Sequence, residues 1–518
     1  MRAVVARLQP TLAHLLLIAA GGVTTLAFAP YTLWWLPLLS LALLAFFLQR
    51  ATTAKQALLK GFSFGLGWFG VGISWVHVSI DQFGGLPLAG SLALMALLVT
   101  YLALFPALAS WLSFRLRQPG VMPLLFAACW TLAEWLRSWL FTGFPWLSLG
   151  YSQTNAGLQH LAPLIGETGI SFVLAFAAAA LAQLFQRVSA VSRYAYLPVA
   201  GIVFAISPSL VQFNGWQYND KQLSVLLVQG NVKQEMRWVP EQEWPTMLKY
   251  LDLTRPHFQT DIVIWPEAAI PRLEPVADEF LTNLNQAALY ADTAVITGIL
   301  DYNVKTSEAW NNLIVLGKRE QHSTDGDYFY GHGNRYSKHH LLPIGEFVPF
   351  EQWLRKLAPI FDLPMSSFSR GAYVQPNLVA NGYHLLPAIC FEIAFTGQIA
   401  ANMTSDTELL LTVSNDAWFG DSIGPHQHLQ IARMRALEFG RPLLRATNNG
   451  ITATVDASGQ VSKRLPQFTE AVLQDQLRLT SGTTPYARFG NWPLAFFCSL
   501  LLSGSWLKRR LSRSHPTI

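Results

Sequence analysis

The sequence predicts two kinds of structure in one chain: an α-helical domain that crosses a membrane several times, and an α/β domain outside the membrane. The composition is 51% hydrophobic and only 13% charged, which is too apolar for a soluble protein. Eight apolar runs approach the roughly 20 residues that a helix needs to span a bilayer. Between the seventh and the eighth run, residues 213–487 contain short β-rich runs separated by candidate helices.

The eight apolar runs set the expected domain boundaries. They cover residues 11–29, 31–48, 61–80, 88–113, 121–141, 163–186, 195–212 and 489–507. We therefore expect a transmembrane domain with seven spans at 1–212, an outer domain at 213–487, and the eighth span with a basic tail at 488–518. In the fifth run, Glu134 and Arg137 stand three residues apart, and two interpretations stay open: a structural ion pair, or a site for a lipid headgroup.

The positive charges predict the orientation of the spans. Thirteen cations follow alternate spans or lie near the chain ends, whereas only Arg137 and Arg488 lie close to span ends on the other side. The thirteen are Arg2, Arg7, Arg50, Lys55, Lys60, Arg115, Arg117, Arg187, Arg193, Lys508, Arg509, Arg510 and Arg513. By the positive-inside rule both termini lie in the cytoplasm. Residues 213–487 then face outward, which in a Gram-negative cell is the periplasm.

The overall positive charge does not indicate nucleic-acid binding. Residues 213–487 hold 21 Lys+Arg and 28 Asp+Glu, a net charge of −7, while the rest of the chain holds 15 and 3, a net charge of +12. The sequence pI of about 9.0 therefore comes from the membrane loops. No basic patch with interleaved aromatic residues remains to bind a nucleic acid.

The outer segment has the pattern of an α/β fold. Its β-rich runs are 224–229, 261–265, 294–300, 312–316, 385–389, 408–413 and 451–455, and its candidate helices are 241–253, 277–291 and 426–438. Continuous apolar strands of this kind are covered on both faces, so we expect functional side chains at the strand ends.

Cys390 lies at the end of one such strand, in the stretch LLPAICFEI. The other two cysteines, Cys129 and Cys498, fall within membrane runs, so Cys390 has no disulfide partner in the outer segment. A lone thiol at a strand end suggests a nucleophile, although most free cysteines are simply small core residues.

Two further stretches favour the nucleophile. DIVIWPEAAIP presents Glu267 after a strand, and RYSKHHLLPIGEFVPF carries Lys338 before a Pro-Gly turn. Taken singly, Glu267 is compatible with a helix-start carboxylate and Lys338 with a solvated lysine. A cysteine acyl-enzyme explains all three residues, because it needs a base for the thiol proton, a cation for the oxyanion and the thiolate itself.

The three motifs carry a family resemblance. WPE at Glu267, YSKHHLLPIGE at Lys338 and ICFE at Cys390 stand in this order, 71 and 52 residues apart. They resemble the Glu-Lys-Cys triad of the nitrilase, or carbon-nitrogen hydrolase, superfamily. With eight spans and TVSNDAWFG at 412–420, the whole chain resembles the apolipoprotein N-acyltransferases, which perform the last acylation of bacterial lipoproteins.

The resemblance implies a nitrilase-like α-β-β-α sandwich for the outer domain. It implies that Glu267 is the general base, that Lys338 stabilises the oxyanion, and that Cys390 forms a thioester. Glu346 and Glu392 would orient or polarise this triad.

The resemblance also implies that aromatic residues bind the substrates. These are Trp238, Phe391, Trp418 and Phe419, with Trp238 where the lipid enters; an interfacial aromatic anchor is the plainer interpretation of Trp238. One position departs from the family, whose members commonly carry tyrosine after the nucleophile. Phe391 stands there in this chain, so no phenolic hydroxyl acts at that position.

A metal site is not expected. His339, His340 and Glu346 are close in sequence, but adjacent histidines on an extended segment point to opposite faces. Pro343 and Gly345 also prevent the helical spacing that zinc proteases use. We predict no metal and no cofactor.

The sequence suggests three alternative functions. The first, which the residues match best, is an acyltransferase in the bacterial inner membrane. It would act as a monomer on a phospholipid acyl donor and a diacylglyceryl apolipoprotein acceptor. The second is a membrane-tethered amidase or nitrilase, which eight spans disfavour because tethering needs only one. The third is a transporter or scaffold, disfavoured because the only acids outside 213–487 are Asp81, Glu134 and Glu167.

Overall fold

The computed structural model describes residues 10–83, 87–118, 120–185, 195–320, 328–343, 345–347 and 368–514. These residues form two compact units. One contains the chain up to residue 214, apart from the short stretch 82–84, together with the residues from 488 onward, and the other contains residues 215–487. Four of the cations used to predict orientation, Arg2, Arg7, Arg187 and Arg193, lie outside the described residues.

The first unit is helical. Its helices are α1 (Pro10–Thr24), α2 (Leu36–Gln49), α3 (Ala54–Gly72), α4 (Val76–Phe83), α5 (Leu88–Arg115), α6 (Met122–Arg137), α7 (Ala162–Gln183) and α8 (Tyr196–Ile206), with a last helix, Trp492–Ser514, after the second unit. Within the described residues, three segments are long and apolar enough to cross a membrane: Leu88–Arg115, Gly157–Gln183 and Tyr196–Phe213. Thr11–Ala27 and Leu36–Gln49 are apolar but shorter. The structure therefore supports three of the eight predicted spans by length and composition, and the number eight stays a prediction.

Glu134 and Arg137 are both buried near the end of α6. Glu134 Oε1 accepts a hydrogen bond from the Leu149 backbone N–H at 3.1 Å, and Arg137 Nη1 donates to the carbonyls of Phe144 and Trp146, at 2.6 and 2.5 Å. Both side chains thus satisfy backbone groups of the segment that follows α6. Among the ion pairs of the described residues there is none between Glu134 and Arg137, so these contacts give both side chains a structural role without the expected pair, and the headgroup site stays a prediction.

The second unit begins with a seven-stranded sheet. Its strands are β1 (Trp216–Gln229), β2 (Ile262–Ile264), β3 (Ile270–Leu273), β4 (Ala294–Asn303), β5 (Glu308–Gly317), β6 (Arg335–Ser337) and, at the far edge, Ala471–Gly482. The sheet order is Ala471–Gly482, β1, β2, β4, β5, β6, with β3 also paired to β4. β1, β2 and β4 are parallel neighbours, whereas β5 and β6 run antiparallel to their neighbours.

The second sheet has six strands. They are β7 (Leu378–Ala380), β8 (Tyr383–Ile389), β9 (Leu409–Ser414), β10 (Leu443–Thr447), β11 (Ala453–Val455) and β12 (Val461–Arg464), and they lie in this order across the sheet. We number the edge strand Ala471–Gly482 of the first sheet β13. β8, β9 and β10 are parallel, so their carboxyl ends meet at one edge of the sheet.

The two sheets pack face to face, with helices on the outside. One core cluster joins side chains of both sheets, such as Val225 and Ile264 from the first and Leu411 and Leu444 from the second. The outer face of the first sheet is covered by α9 (Pro240–Thr254) and α10 (Asp278–Tyr290). The second sheet carries α11 (Thr396–Asn402) next to β8 and α12 (Gly424–Phe439) next to β10, and α13 (Pro485–Phe489) follows β13. The expected α-β-β-α sandwich is confirmed.

The sequence located most of these elements. The three predicted helices correspond to α9, α10 and α12, and each of the seven predicted strands overlaps an observed strand. Six strands, β3, β6, β7, β10, β12 and β13, were not predicted. In β10, Arg445 interrupts the apolar pattern and is nevertheless fully buried. Its charge is compensated only in the folded protein.

Candidate active site

Cys390 follows β8 directly and starts a short 3₁₀ turn, Cys390–Ala394. Its backbone is in the left-handed region, with φ of +56°, which costs a residue with a Cβ atom about 1–2 kcal/mol. The parallel register of β8 and β9 pairs Ile389 with Val413. Cys390 therefore lies beside Ser414, at the sheet edge where polar side chains were expected.

Glu392 holds this turn in place. The carboxylate is fully buried and accepts hydrogen bonds from two separate parts of the chain. Its donors are the backbone N–H groups of Ile389 (2.8 Å), His339 (2.8 Å) and His340 (2.9 Å), the Tyr336 hydroxyl (3.0 Å) and Gln398 Nε2 (3.1 Å). Because these donors flank both Cys390 and Lys338, Glu392 fixes the two residues relative to each other.

Glu267 lies three residues beyond the end of β2 and is 8% exposed. Its Oε1 accepts from Asn311 Nδ2 at 2.8 Å and from Lys338 Nζ at 3.3 Å, while Oε2 accepts from the Asn415 backbone N–H at 2.9 Å. Gly298 on β4 allows this approach, because a Cβ atom there would lie 2.7 Å from the Glu267 Cα.

Lys338 directly follows β6 and is 2% exposed, so its interpretation as a solvated surface lysine is wrong. Its ammonium group lies 2.8 Å from Glu346 Oε1 and 3.3 Å from Glu267 Oε1. The side-chain Nδ2 of Asn311 donates to the same two carboxylates. The backbone carbonyl of Asn311 accepts a hydrogen bond from the Lys338 backbone N–H at 2.8 Å. Two carboxylates and one amide therefore hold the ammonium in a single position.

The charges around Cys390 fit general-base activation of a thiol. Burial would raise the pKa of Glu267, but the nearby Lys338 and Arg237 cations outweigh it and hold that pKa below its usual range. Burial and the Glu267 carboxylate raise the pKa of the Cys390 thiol to about 12. The resting site thus pairs an ionised base with a neutral thiol, the starting state of general-base catalysis.

Lys338 and Glu346 are the ionisable groups beside Glu267, and each has a shifted pKa. Burial alone would lower the pKa of Lys338, yet Glu267 and Glu346 raise it above its usual range, so the ammonium stays charged. Burial raises the pKa of Glu346, and the charge of Glu267 adds to this effect. Of the two carboxylates, Glu267 is therefore the one that remains ionised to lower pH.

Sequence reasoning missed three residues that hold Glu267. Asn311 and Asn415 donate to its carboxylate, and Arg237, which is 7% exposed, donates to the carbonyls of Glu267 and Ala268. Arg237 had a detectable signal, since it directly precedes the Trp238 already singled out. Asn311 had none, because only the β5–β6 pairing brings it beside Lys338.

The polar face of α12 differs from what its sequence predicts. The helical spacing of Arg433, Arg435 and Glu438 predicts a solvated or interdomain face, but Arg435 and Glu438 are completely buried and their charged groups lie 3.1 Å apart. The solvated alternative is therefore wrong. In an isolated sequence, a row of charged residues on a helix looks the same whether it faces water or buried partners.

The four aromatic residues expected to bind substrate have different environments. Trp238 is 40% exposed and Trp418 is partly buried, while Phe391 and Phe419 are buried. The Phe391 ring packs edge-on against Phe395, with 4.9 Å between the ring centroids. Their role in binding stays a prediction.

His339 and His340 have local contacts of their own. His339 Nδ1 lies 2.7 Å from the Gly371 carbonyl, and the His340 ring stacks on Phe395 with 3.4 Å between centroids. These contacts give each imidazole a structural role in the segment after Lys338.

The fold and the site define a class of protein. Residues 225–484 match the family model described as carbon-nitrogen hydrolase, which agrees with the four-layer sandwich and with the Glu267, Lys338 and Cys390 cluster. Residues 20–180 match a second model, described as the apolipoprotein N-acyltransferase N-terminal domain.

Relatives that match nearly the whole chain identify the family within this class of protein. The apolipoprotein N-acyltransferase of Photobacterium profundum is 49% identical, covering 97% of this chain and 96% of its own. Those of Shewanella oneidensis (49% identical; 95% and 94% covered) and Vibrio parahaemolyticus (47% identical; 95% and 96% covered) are similarly close. The chain belongs to the apolipoprotein N-acyltransferase family.

Replacing Lys338 with arginine should slow acylation by about 10²–10³-fold, the cost of losing one oxyanion donor. The planar guanidinium is too large for a pocket that encloses a compact ammonium between two carboxylates. Single-turnover acylation measures the effect. Lys318→Arg is the matched control, because Lys318 is also buried, at 8% exposed, and pairs with Asp292. Equal rates for Lys338→Arg and wild type would exclude Lys338 from the oxyanion site.

Proposed function

We propose that this protein transfers a fatty acyl chain from a phospholipid, through a thioester on Cys390, to the α-amino group of the S-diacylglyceryl cysteine of apolipoproteins. The observation that carries the proposal is the cluster of a partly buried neutral thiol with a buried ionised carboxylate and a buried, fixed ammonium group. Membership of the apolipoprotein N-acyltransferase family supports the choice of donor and acceptor.

In the first half-reaction, Glu267 takes the proton of the Cys390 thiol as the sulfur attacks the ester carbonyl of the phospholipid. The Lys338 ammonium stabilises the negative charge that develops on the carbonyl oxygen. When the tetrahedral intermediate collapses, Glu267 returns the proton to the departing alkoxide, and a lysophospholipid leaves. The products are a Cys390 thioester and a Glu267 carboxylate.

In the second half-reaction, the α-amino group of the apolipoprotein attacks the thioester carbonyl. Glu267 accepts the amine proton and Lys338 again faces the oxyanion. Collapse forms the amide and expels the Cys390 sulfur, which regains its proton from Glu267. Because Glu267 and Lys338 are 8% and 2% exposed, little water reaches these groups, so the thioester is protected from hydrolysis.

Both proposed substrates carry lipid chains, so a membrane location suits this chemistry. We propose eight spans, both termini in the cytoplasm and residues 213–487 in the periplasm of an inner membrane, on the basis of the thirteen cations that follow alternate apolar runs. Trp238, Phe391, Trp418 and Phe419 supply apolar surface for the acyl chains. Glu346 and Glu392 orient Lys338 and Cys390 through the contacts described above.

A two-stage labelling experiment tests the mechanism. The purified protein is incubated with a phospholipid labelled in one acyl chain, freed of donor, and then given a diacylglyceryl lipopeptide. The label should first appear on the Cys390 peptide with release of lysophospholipid, and then move to the lipopeptide amine. Label that reaches the lipopeptide only when donor and acceptor are present together, without acyl-Cys390, would refute the thioester. Label released as free fatty acid would indicate a hydrolase instead.

A further inference from the structure

Cys390 also contacts a set of polar side chains that the mechanism above does not use. Ser414 ends β9, Asp416 follows it, His428 is on α12 and Arg445 is on β10. We call these four residues the rear network. Each is at most 2% exposed, and buried polar groups of this kind are retained only when they are hydrogen-bonded.

The rear network contacts Cys390 at two atoms. Ser414 Oγ lies 3.3 Å from Cys390 Sγ, and His428 Nε2 lies 3.0 Å from the Cys390 carbonyl oxygen. Asp416 connects the set, because Oδ1 lies 2.6 Å from Ser414 Oγ and Oδ2 lies 2.7 Å from Arg445 Nη2. The network therefore reaches both the reacting sulfur and the strained backbone of the same residue.

The geometry assigns one proton of His428. A carbonyl oxygen only accepts, so Nε2 must carry the proton that is donated to Cys390. Nδ1 faces two groups of the rear network, Arg445 Nη2 at 3.0 Å and Asp416 Oδ1 at 3.2 Å. Burial and the Arg445 charge lower the pKa of His428, although Asp416 opposes them. His428 thus donates from Nε2 and holds the left-handed Cys390 backbone.

Ser414 has one hydroxyl proton and two acceptors within reach. In the resting enzyme the Asp416 carboxylate is the stronger acceptor and is closer, at 2.6 Å against 3.3 Å for the sulfur. Burial would raise the pKa of Asp416, but Arg445 outweighs it and holds that pKa well below its usual range. Asp416 therefore stays ionised and keeps the Ser414 hydroxyl while Cys390 is a thiol.

We propose that Ser414 is a positioning residue whose hydroxyl turns from Asp416 to Cys390 Sγ when Glu267 removes the thiol proton. The S–H bond breaks and its proton goes to Glu267, while the Ser414 O–H bond stays intact and only rotates. A thiolate is a charged acceptor, so this hydrogen bond forms as charge develops on sulfur. When the thioester forms, the sulfur becomes a poor acceptor and the hydroxyl returns to Asp416.

The charged groups that face the sulfur agree with this role. The charges of Glu267, Lys338, Arg237 and Asp416 all act on it. The Asp416 carboxylate, like that of Glu267, disfavours a thiolate. Ser414 stands between Asp416 and Cys390, so its hydroxyl dipole is the group that offsets this repulsion. The proposal rests on the proposed function in taking Cys390 as the nucleophile.

The test compares Ser414→Ala with Thr447→Val. In the parallel register of β9 and β10, Ser414 pairs with Thr447, which is also fully buried, and the Thr447 hydroxyl bonds Thr452 instead of Cys390. Alkylation of the Cys390 peptide by iodoacetamide is followed by mass spectrometry from pH 6 to 10 in the full-length protein. Ser414→Ala should need about one pH unit more for the same alkylation rate, and should form acyl-Cys390 about tenfold more slowly. Thr447→Val should match wild type in both.

Two outcomes would overturn the proposal. One is a wild-type alkylation profile in a folded Ser414→Ala protein, and the other is an equal shift in both variants, which would indicate general packing. A shifted alkylation profile without any acyl transfer by the wild-type protein would retain the role of Ser414 and reject the proposed function.

A pair of His428 variants tests the contact to the Cys390 carbonyl. Cys390 should be alkylated faster in His428→Gln, which keeps an N–H donor, than in His428→Leu at each pH. Equal alkylation rates in the two variants would exclude the contact.

Discussion

Replacing Cys390 with alanine should abolish acyl transfer and leave the protein folded. Removal of a covalent nucleophile costs on the order of 10⁶-fold in rate when no other group replaces it. The packing cost is small, about 1 kcal/mol, because the side chain is short and only partly buried. Transfer from labelled phospholipid to lipopeptide, and the melting temperature of the purified protein, measure the two effects.

Cys129→Ala is the matched control for this experiment. Cys129 is a free and fully buried cysteine on α6 of the helical unit, so its replacement should leave acyl transfer unchanged. Transfer by Cys390→Ala at more than a trace of the wild-type rate would mean that the acyl group does not pass through this sulfur.

Replacing Glu267 with glutamine should block loading of Cys390 and change its dependence on pH. The wild-type rate should be flat over a broad range, because the pKa of Glu267 is held below its usual range while that of the thiol is raised to about 12. As the pH falls through the Glu267 pKa, the base becomes protonated and loading declines. Without the base, only the small thiolate fraction reacts, so the residual rate should rise about tenfold per pH unit. Loss of general-base catalysis lowers the rate at neutral pH by about 10²–10⁴-fold.

Glu274→Gln is the matched control for Glu267→Gln. It removes a different buried carboxylate, so it shows what the loss of a buried charge does by itself. Glu274 is fully buried in the same unit and binds Arg335 through both oxygens, each at 2.9 Å. The substitution should lower the melting temperature and leave the shape of the pH–rate profile unchanged. A flat residual profile for Glu267→Gln would show that another group removes the thiol proton.

The resemblance of three short motifs was enough to select Glu267, Lys338 and Cys390 and to imply the sandwich, and apolar runs alternating with candidate helices were enough to predict an α/β fold. Both succeed because their signals are local. Strand periodicity depends on neighbouring residues, and Glu267 and Cys390 each follow a buried strand within three positions. The apolar runs likewise predicted a helical membrane unit, although the described structure supports fewer spans than the eight expected.

The sequence by itself determined which residues have the chemistry of an acyl-enzyme, because a thiol, a carboxylate and an amine carry that chemistry wherever they lie. Only the tertiary structure decided what surrounds them. Asn311 meets Lys338 through strand pairing, and Ser414 meets Cys390 because parallel strands end at the same sheet edge. Arg445 and His428 are polar residues that burial penalises unless partners distant in sequence bind them. Those partners come together only on folding, so the rear network has no signature in a single sequence.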